Sequence, residues 1–219
     1  MCSSDLAQWD GRPLDCKLAV IAAPDDAWQP TSDGPDWGPP FADAYFTGPR
    51  AFLDAGARVE AQVAWLRDNE SDLLATTPSN LAAIVEHLGT NNTALPRLRY
   101  VRTSGRPAAQ QLHRASADLW GARLHDGYVD PILGAIAYPC PERGRYHVHA
   151  ERVVVDVVDD AGRPCPAGRL GRIVVTPLHW FSMPAVRLDT GDLGALVDGC
   201  DCGRGLPTLI GVDRPLSQK

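Results

Sequence analysis

Between residues 51 and 126 the apolar side chains alternate between helical spacing and short runs, and few folds accept that order. Phe52, Val59, Val63 and Leu66 recur at helical spacing, so residues 51–69 predict an amphipathic helix. DLLAT (72–76) predicts a strand. Ser79 can cap a following helix that carries Leu81, Ile84, Val85 and Leu88 on one face, with Gly89 to end it. LRYVRT (98–103) predicts a second strand, and Pro107 suits the first turn of a helix carrying Leu112, Leu119 and Trp120. ARLHD (122–126) predicts a third strand. Strand–helix–strand–helix–strand with short connections is the pattern of a right-handed parallel α/β unit.

The flanking texture differs. LAVIAA (18–23) predicts a buried strand stopped by Pro24, and the Pro-, Gly- and Trp-rich segment after it predicts loops. After Pro139 the chain turns strand-rich: RYHVH (145–149), RVVVDVV (152–158), GRIVVT (171–176), residues 185–188 and residues 193–197. The expected organisation is an irregular segment over 1–50, a parallel βαβαβ unit over 51–139, a small antiparallel sheet or barrel over 140–213, and a tail over 214–219.

Apolar residues make up 44% of the 219, enough for a sizeable core, and the formal net charge is −6. An acidic balance disfavours nucleic acid and anionic membrane as partners. The start MCSSDLAQWDG has neither the basic residues nor the apolar run of a secretory signal, so a cytoplasmic location is expected. In a reducing compartment the six cysteines point to metal or buried thiols rather than disulfides.

GCDCGRG (199–205) is the most informative group of cysteines. A Cys-x-Cys pair alone cannot close a four-ligand site. PCPERGRYHVH (139–149) supplies Cys140 and His147, with His149 as an alternative. Cys140, His147, Cys200 and Cys202 would make a closed Cys3His structural zinc site, tying the small sheet to the parallel unit. Cys2, Cys16 and Cys165 are not expected to be ligands.

In a parallel sheet, ligands bind beyond the carboxyl ends of the strands. Here those ends are Thr77, Ser104-Gly105-Arg106 and Asp126-Gly127-Tyr128, although the same residues also suit ordinary turns. A histidine near a carboxylate can act as a general acid/base pair. The candidates are His125 with Asp126, and His179 on the loop PLHWF, expected to lie near Asp192.

From about residue 60 to 213 the chain resembles the phenylacetate–CoA ligase branch of the adenylate-forming enzymes. The resemblance rests on LLATTPSNLAAI (73–84), LRYVRTSGRP (98–107), LHDGYVDPILGAIAYPC (124–140), GRYHVHAERVVVDVVDDAGRPCPAGRLGRIVVTPL (144–178), MPAVRLDTGDLGAL (183–196) and CDCGRGLPTLIG (200–211). It implies part of that family's large domain, with Tyr128 against an adenine, Asp192 on a ribose, Arg187 preceding that aspartate, and Ser104-Gly105-Arg106 bordering the adenine pocket. It also implies His147 rather than His149 as the ligand.

The departures are as specific as the matches. No Ser/Thr/Gly-rich phosphate loop precedes the matched region. Val129 and Ile132 stand where the family has a glycine and a magnesium-associated glutamate. Arg106 follows Gly105 where a glutamate is expected. The chain ends at GVDRPLSQK, about where a hinge and a mobile domain with a catalytic lysine would follow. The start at Met1 fits a naturally short chain. The expectation is therefore a repurposed relative acting on a small acyl or aromatic ligand, without ATP or magnesium as cofactors. Two alternatives accompany it: a non-catalytic subunit of a ligase or carrier protein, or part of a split ligase. Apolar faces exposed by the short chain, and the stretch from Trp28 to Phe46, favour a homodimer or heteromer.

Overall fold

Strand β1 (Leu18–Ala22) is buried along its whole length, because parallel neighbours pair with it on both sides. A computed structural model of the chain describes residues 11, 13–25, 31–39, 41–91, 95, 97–130, 132–140, 144–181 and 184–213. The chain falls into two compact units, Met1–Asp126 and Gly127–Lys219.

In the first unit β1, β2 (Arg50–Asp54), β3 (Leu73–Thr76) and β4 (Tyr100–Gly105) form a parallel sheet in the order β2-β1-β3-β4. A short helix, α1 (Phe41–Ala44), precedes β2, and α2 (Val59–Asn69), α3 (Pro78–Asn91) and α4 (Gln110–Trp120) alternate with the later strands. The first half of β5 (Arg123–Asp130) continues beyond α4, with Arg123 donating its backbone N–H to the Arg99 carbonyl.

One face of this sheet packs Ala19, Ile21, Leu74 and Val101 against Val63, Leu66, Leu81, Ile84, Leu88 and Leu112 of the helices. The other face, Leu18, Val20, Leu73 and Ala75, is covered by Trp37 and Phe41. Trp37 is pinned there by its indole N–H, which donates to the Cys16 carbonyl at 3.0 Å. Trp37 and Phe41 of the Trp-rich stretch thus cover a face of their own sheet, whereas Phe46 at its end is 87% exposed; its Trp28 end lies outside the described residues.

The helix predicted over 51–69 is shorter than its periodicity. Residues Arg50–Asp54 form β2 instead, because pairing with the apolar β1 outweighs their weak helical spacing. Asp54 ends the strand by accepting the Gly56 N–H at 2.8 Å. Helix α3 is capped by the hydroxyl of Thr77, which accepts the Asn80 N–H at 3.3 Å, and not by Ser79. It runs past Gly89 to Asn91.

The second unit is an antiparallel sheet. The end of β5 pairs with β6 (Gly134–Pro139), and the order continues β7 (Tyr146–Val148), β11 (Thr208–Asp213), β10 (Leu188–Val197), β9 (Gly171–Pro177), β8 (Val153–Val158). The sheet is open rather than a barrel: among the described residues, the outer strand β8 pairs in register with β9 alone. Its core is Tyr128, Ile136, Val148, Val153, Val155, Ile173, Val175 and Leu209. Residues 185–188 were expected to be a strand, but β10 begins only at Leu188. Among the described residues no helix is long and apolar enough to cross a membrane.

Candidate functional site

The second unit gathers the cluster that the cysteines anticipate. β7 lies between β6 and β11, so His147 faces Tyr138 on one side and Thr208 on the other and is buried. Cys140 follows the last residue of β6, and its N–H donates to the Arg145 carbonyl at 2.6 Å. Cys200 and Cys202 occupy the turn between β10 and β11, where Gly199 and Gly203 take positive φ (71° and 79°), a conformation costly for any residue with a Cβ. The donor atoms of Cys140, His147, Cys200 and Cys202 all lie within 4.8 Å of one another. Cys140 Sγ is 3.7 Å from Cys200 Sγ, and Cys202 Sγ is 3.3 Å from His147 Nε2.

The electrostatics suit a cation. Burial, then the positive charge of Arg204, push the His147 imidazole below its usual range, against a raising hydrogen bond that the ring donates to the Leu206 backbone carbonyl. The downward shift favours the neutral imidazole, the form that ligates. For the Cys202 thiol burial acts upward, but hydrogen bonds from the Arg204 backbone, Cys200, the Arg204 side chain and Cys140 outweigh it and the net shift is downward. The four residues form a cluster that can bind a metal ion. His149 is elsewhere, edge-on to Tyr138 at 5.7 Å. All four donors belong to the second unit, so the cluster joins strands within the antiparallel sheet and not, as the sequence suggested, that sheet to the parallel unit.

The same unit holds a second buried pair. The Tyr128 hydroxyl donates to Asp192 Oδ2 at 2.9 Å, with only 1% of Tyr128 and 4% of Asp192 exposed. Burial drives the Tyr128 hydroxyl well above the usual tyrosine range; a bond with Thr190 opposes this, and the Asp192 charge adds to it. Asp192 donates its own N–H to Thr190 Oγ1 at 3.2 Å, and Thr190 Oγ1 donates to the Ile173 carbonyl at 3.1 Å. Gly127 is buried next to Tyr128. Asp130 spends its carboxylate on a turn, accepting the N–H groups of Ile132 and Leu133.

Arg187 is exposed, at positive φ (53°), with its N–H on Thr176 Oγ1 and its guanidinium 3.6 Å from Asp156. His179 is exposed and donates from Nε2 to the Glu151 carbonyl at 2.9 Å. It follows the Pro177 end of β9, whereas Thr190 and Asp192 sit by Ile173. Four strand residues, on the order of 13 Å, separate those positions, so His179 is not near Asp192 as expected.

In the first unit Asp126 is fully buried and accepts the Ala108 N–H at 2.8 Å, pinning the approach to α4. Its side-chain neighbour is His113 on α4, Nε2 to Oδ2 at 3.3 Å. His125 and Asp126 are consecutive strand residues and so point to opposite faces. The structure thus pairs Asp126 with His113, a residue with no sequence signal because the contact crosses from helix to strand. Thr77 caps α3, and Ser104-Gly105 end β4, with Gly105 at φ 118° and Arg106 following the strand.

Beside these lies a polar network the sequence did not reveal. Asn80 Nδ2 donates to Thr76 Oγ1 (3.0 Å) and Gln62 Oε1 (2.9 Å), and Gln62 Nε2 donates to the carbonyls of Ala55 and Ala57. The Thr76 hydroxyl donates to the Ile21 carbonyl at 2.9 Å. The network joins the carboxyl ends of β1, β2 and β3.

Comparison with known proteins bears on the fold. No protein-family model matches the chain. The phenylacetate–coenzyme A ligase of Thermus thermophilus is 28% identical over 157 residues, 68% of this chain and 35% of that protein. The Pseudomonas putida phenylacetate–coenzyme A ligase is 30% identical over 152 residues, 66% of this chain and 34% of that protein. Among solved structures, a 2-hydroxyisobutyryl-CoA ligase superposes with a TM-score of 0.73 at 20% identity, covering 93% of this chain and 46% of that one. An anthranilate–CoA ligase gives a TM-score of 0.63 at 17% identity, covering 93% and 42%. The fold is therefore part of the adenylate-forming ligase fold. By sequence, the chain is a relative of the phenylacetate–coenzyme A ligases and spans about a third of their length.

Proposed function

We propose that this chain binds a small acyl or aromatic acid, or a derivative of one, without forming adenylates from ATP on its own, and that its donor cluster holds structural zinc. The observation that supports the first part lies around β5. Tyr128 and Asp192, which the resemblance assigns to a nucleotide, are bonded to each other and buried. Ile132, 66% exposed, stands in place of the carboxylate that would assist magnesium. An apolar side chain supplies no oxygen to a hard cation. What carries over from the ligase relatives is then recognition of the acid, in a cytoplasmic, biosynthetic setting.

Zinc is supported by the dimensions of the cluster. A tetrahedron with Zn–S bonds of about 2.3 Å has a sulfur–sulfur edge of roughly 3.8 Å. The Cys140–Cys200 separation is 3.7 Å. With three thiolates and one imidazole around it the ion would have no position left for water, and its contribution is to hold β6, β7 and the β10–β11 turn together.

The test is direct. The purified chain is incubated with ATP, magnesium and a panel of acids including phenylacetate, benzoate and 2-hydroxyisobutyrate. Pyrophosphate release should not exceed the protein-free blank, while saturation-transfer NMR should detect binding of at least one acid. Turnover would overturn the absence of adenylation, and a panel without a binder would overturn the binding of an acid. A partner-subunit reading is favoured by the exposed Phe181 and Val186 of the second unit.

A further inference from the structure

We propose that Cys140 and Cys200 form a reversible disulfide, so that the donor cluster is an oxidation-sensitive site in which metal and cross-link exclude each other. This deepens the metal reading above and rests on it. Two sulfurs 3.7 Å apart need to close by less than about 2 Å to reach a disulfide bond of about 2.05 Å. Cys202 is committed differently, with its sulfur 3.3 Å from the His147 ring.

Exposure divides the labour between the two thiols. Cys140 is buried, whereas Cys200 is only half-buried in its turn. Cys202 is equally half-buried, but Cys200 is the accessible sulfur that lies 3.7 Å from Cys140, so Cys200 meets a dissolved oxidant and Cys140 stands behind it. With a small disulfide such as oxidised glutathione, the Cys200 thiolate attacks one glutathione sulfur and expels the other as a thiolate. The Cys140 thiolate then attacks Cys200 Sγ and expels the second glutathione thiolate. Two electrons pass from the protein sulfurs to the glutathione disulfide, and no proton is left over. The metal loses two of its sulfur ligands in that step and dissociates.

The cross-link joins two of the three segments the metal would hold, the end of β6 and the β10–β11 turn, while β7 stays paired between β6 and β11. The strands therefore stay tied while the cluster changes state, which makes the exchange reversible.

The metal-loaded chain is treated with oxidised glutathione while zinc release is followed with a chromogenic chelator, and unreduced peptides are mapped by mass spectrometry. Zinc release should rise in proportion to a Cys140–Cys200 peptide, and dithiothreitol with added zinc should reverse both. Retained zinc at full oxidation, a cross-link between Cys200 and Cys202, or a stable glutathione adduct on Cys200 would each overturn the proposal. Cys165→Ser, outside the cluster, should leave the behaviour unchanged. Should the purified chain contain no metal, the zinc reading fails and the exclusion of metal by cross-link fails with it; the same peptide map on that chain then still decides the sulfur pairing.

Discussion

Tyr128 shows how one residue can belong to a motif and yet be occupied by its own protein. Its hydroxyl is buried and donates to a buried carboxylate, which stabilises the neutral phenol. A raised folded pKa gives stability that is fully present below the unfolded value of about 10 and is lost as pH rises beyond it. Absorbance titration at 295 nm should therefore show one of the five tyrosines ionising only as the protein unfolds, and Tyr128→Phe should remove that late step. The same substitution should cost about 2 kcal/mol by denaturant titration, the order expected for a hydrogen bond to a charged group. Cys200→Ser leaves the cluster one thiolate short. Elemental analysis should then find no bound metal, and Tm should fall by about 10 °C, since a structural ion contributes directly to folding. A normal Tm with metal retained would contradict the zinc reading.

Among the elements, α2, α3 and α4 and strands β1, β3, β4 and β5 could be read from the chain, from helical spacing of apolar residues or from short apolar runs, although β4 buries only Val101 and Thr103 and α4 only Leu112 and Ser116. β2 could not. Its helix-like spacing is local, and the decision against it is made by β1, some thirty residues away. β6 and β11 also escaped notice: GAIAYP and TLIGVD are short, and they become strands by flanking β7. The buried Gln62–Asn80–Thr76 network belongs to this level too. It supplies partners for backbone carbonyls at the ends of β1 and β2, where the sheet stops. Gln62→Leu should destabilise by about 3 kcal/mol, because it orphans two carbonyls and an amide. A double-mutant cycle with Asn80→Ala should return a coupling of about 1 kcal/mol, and strict additivity would show that the network is not cooperative.

For the whole molecule, the open question is what the chain associates with. The chain spans about a third of its curated relatives' length, while its parallel sheet already has both faces covered. Phe181 and Val186 remain exposed at 83% and 74%. If they form a contact between copies, light scattering should give twice the monomer mass, and Phe181→Asp with Val186→Asp should return the monomer without changing Tm. A monomeric wild type would remove the homodimer expectation.

The order of apolar runs and helical faces was enough to specify a parallel unit followed by a strand-rich one, because burial periodicity is a property of neighbouring residues. Likewise, Cys140, Cys200 and Cys202 with a histidine of HVH could be grouped in advance, because few residue types bind metal, while the choice of His147 over His149 came from the family resemblance; the structure brings the four donors together. The pairings were another matter. Asp126 with His113, Tyr128 with Asp192, and His179 at the far end of β9 depend on register between strands and on the seating of a helix. Those are set by contacts distant along the chain, and no local pattern encodes them.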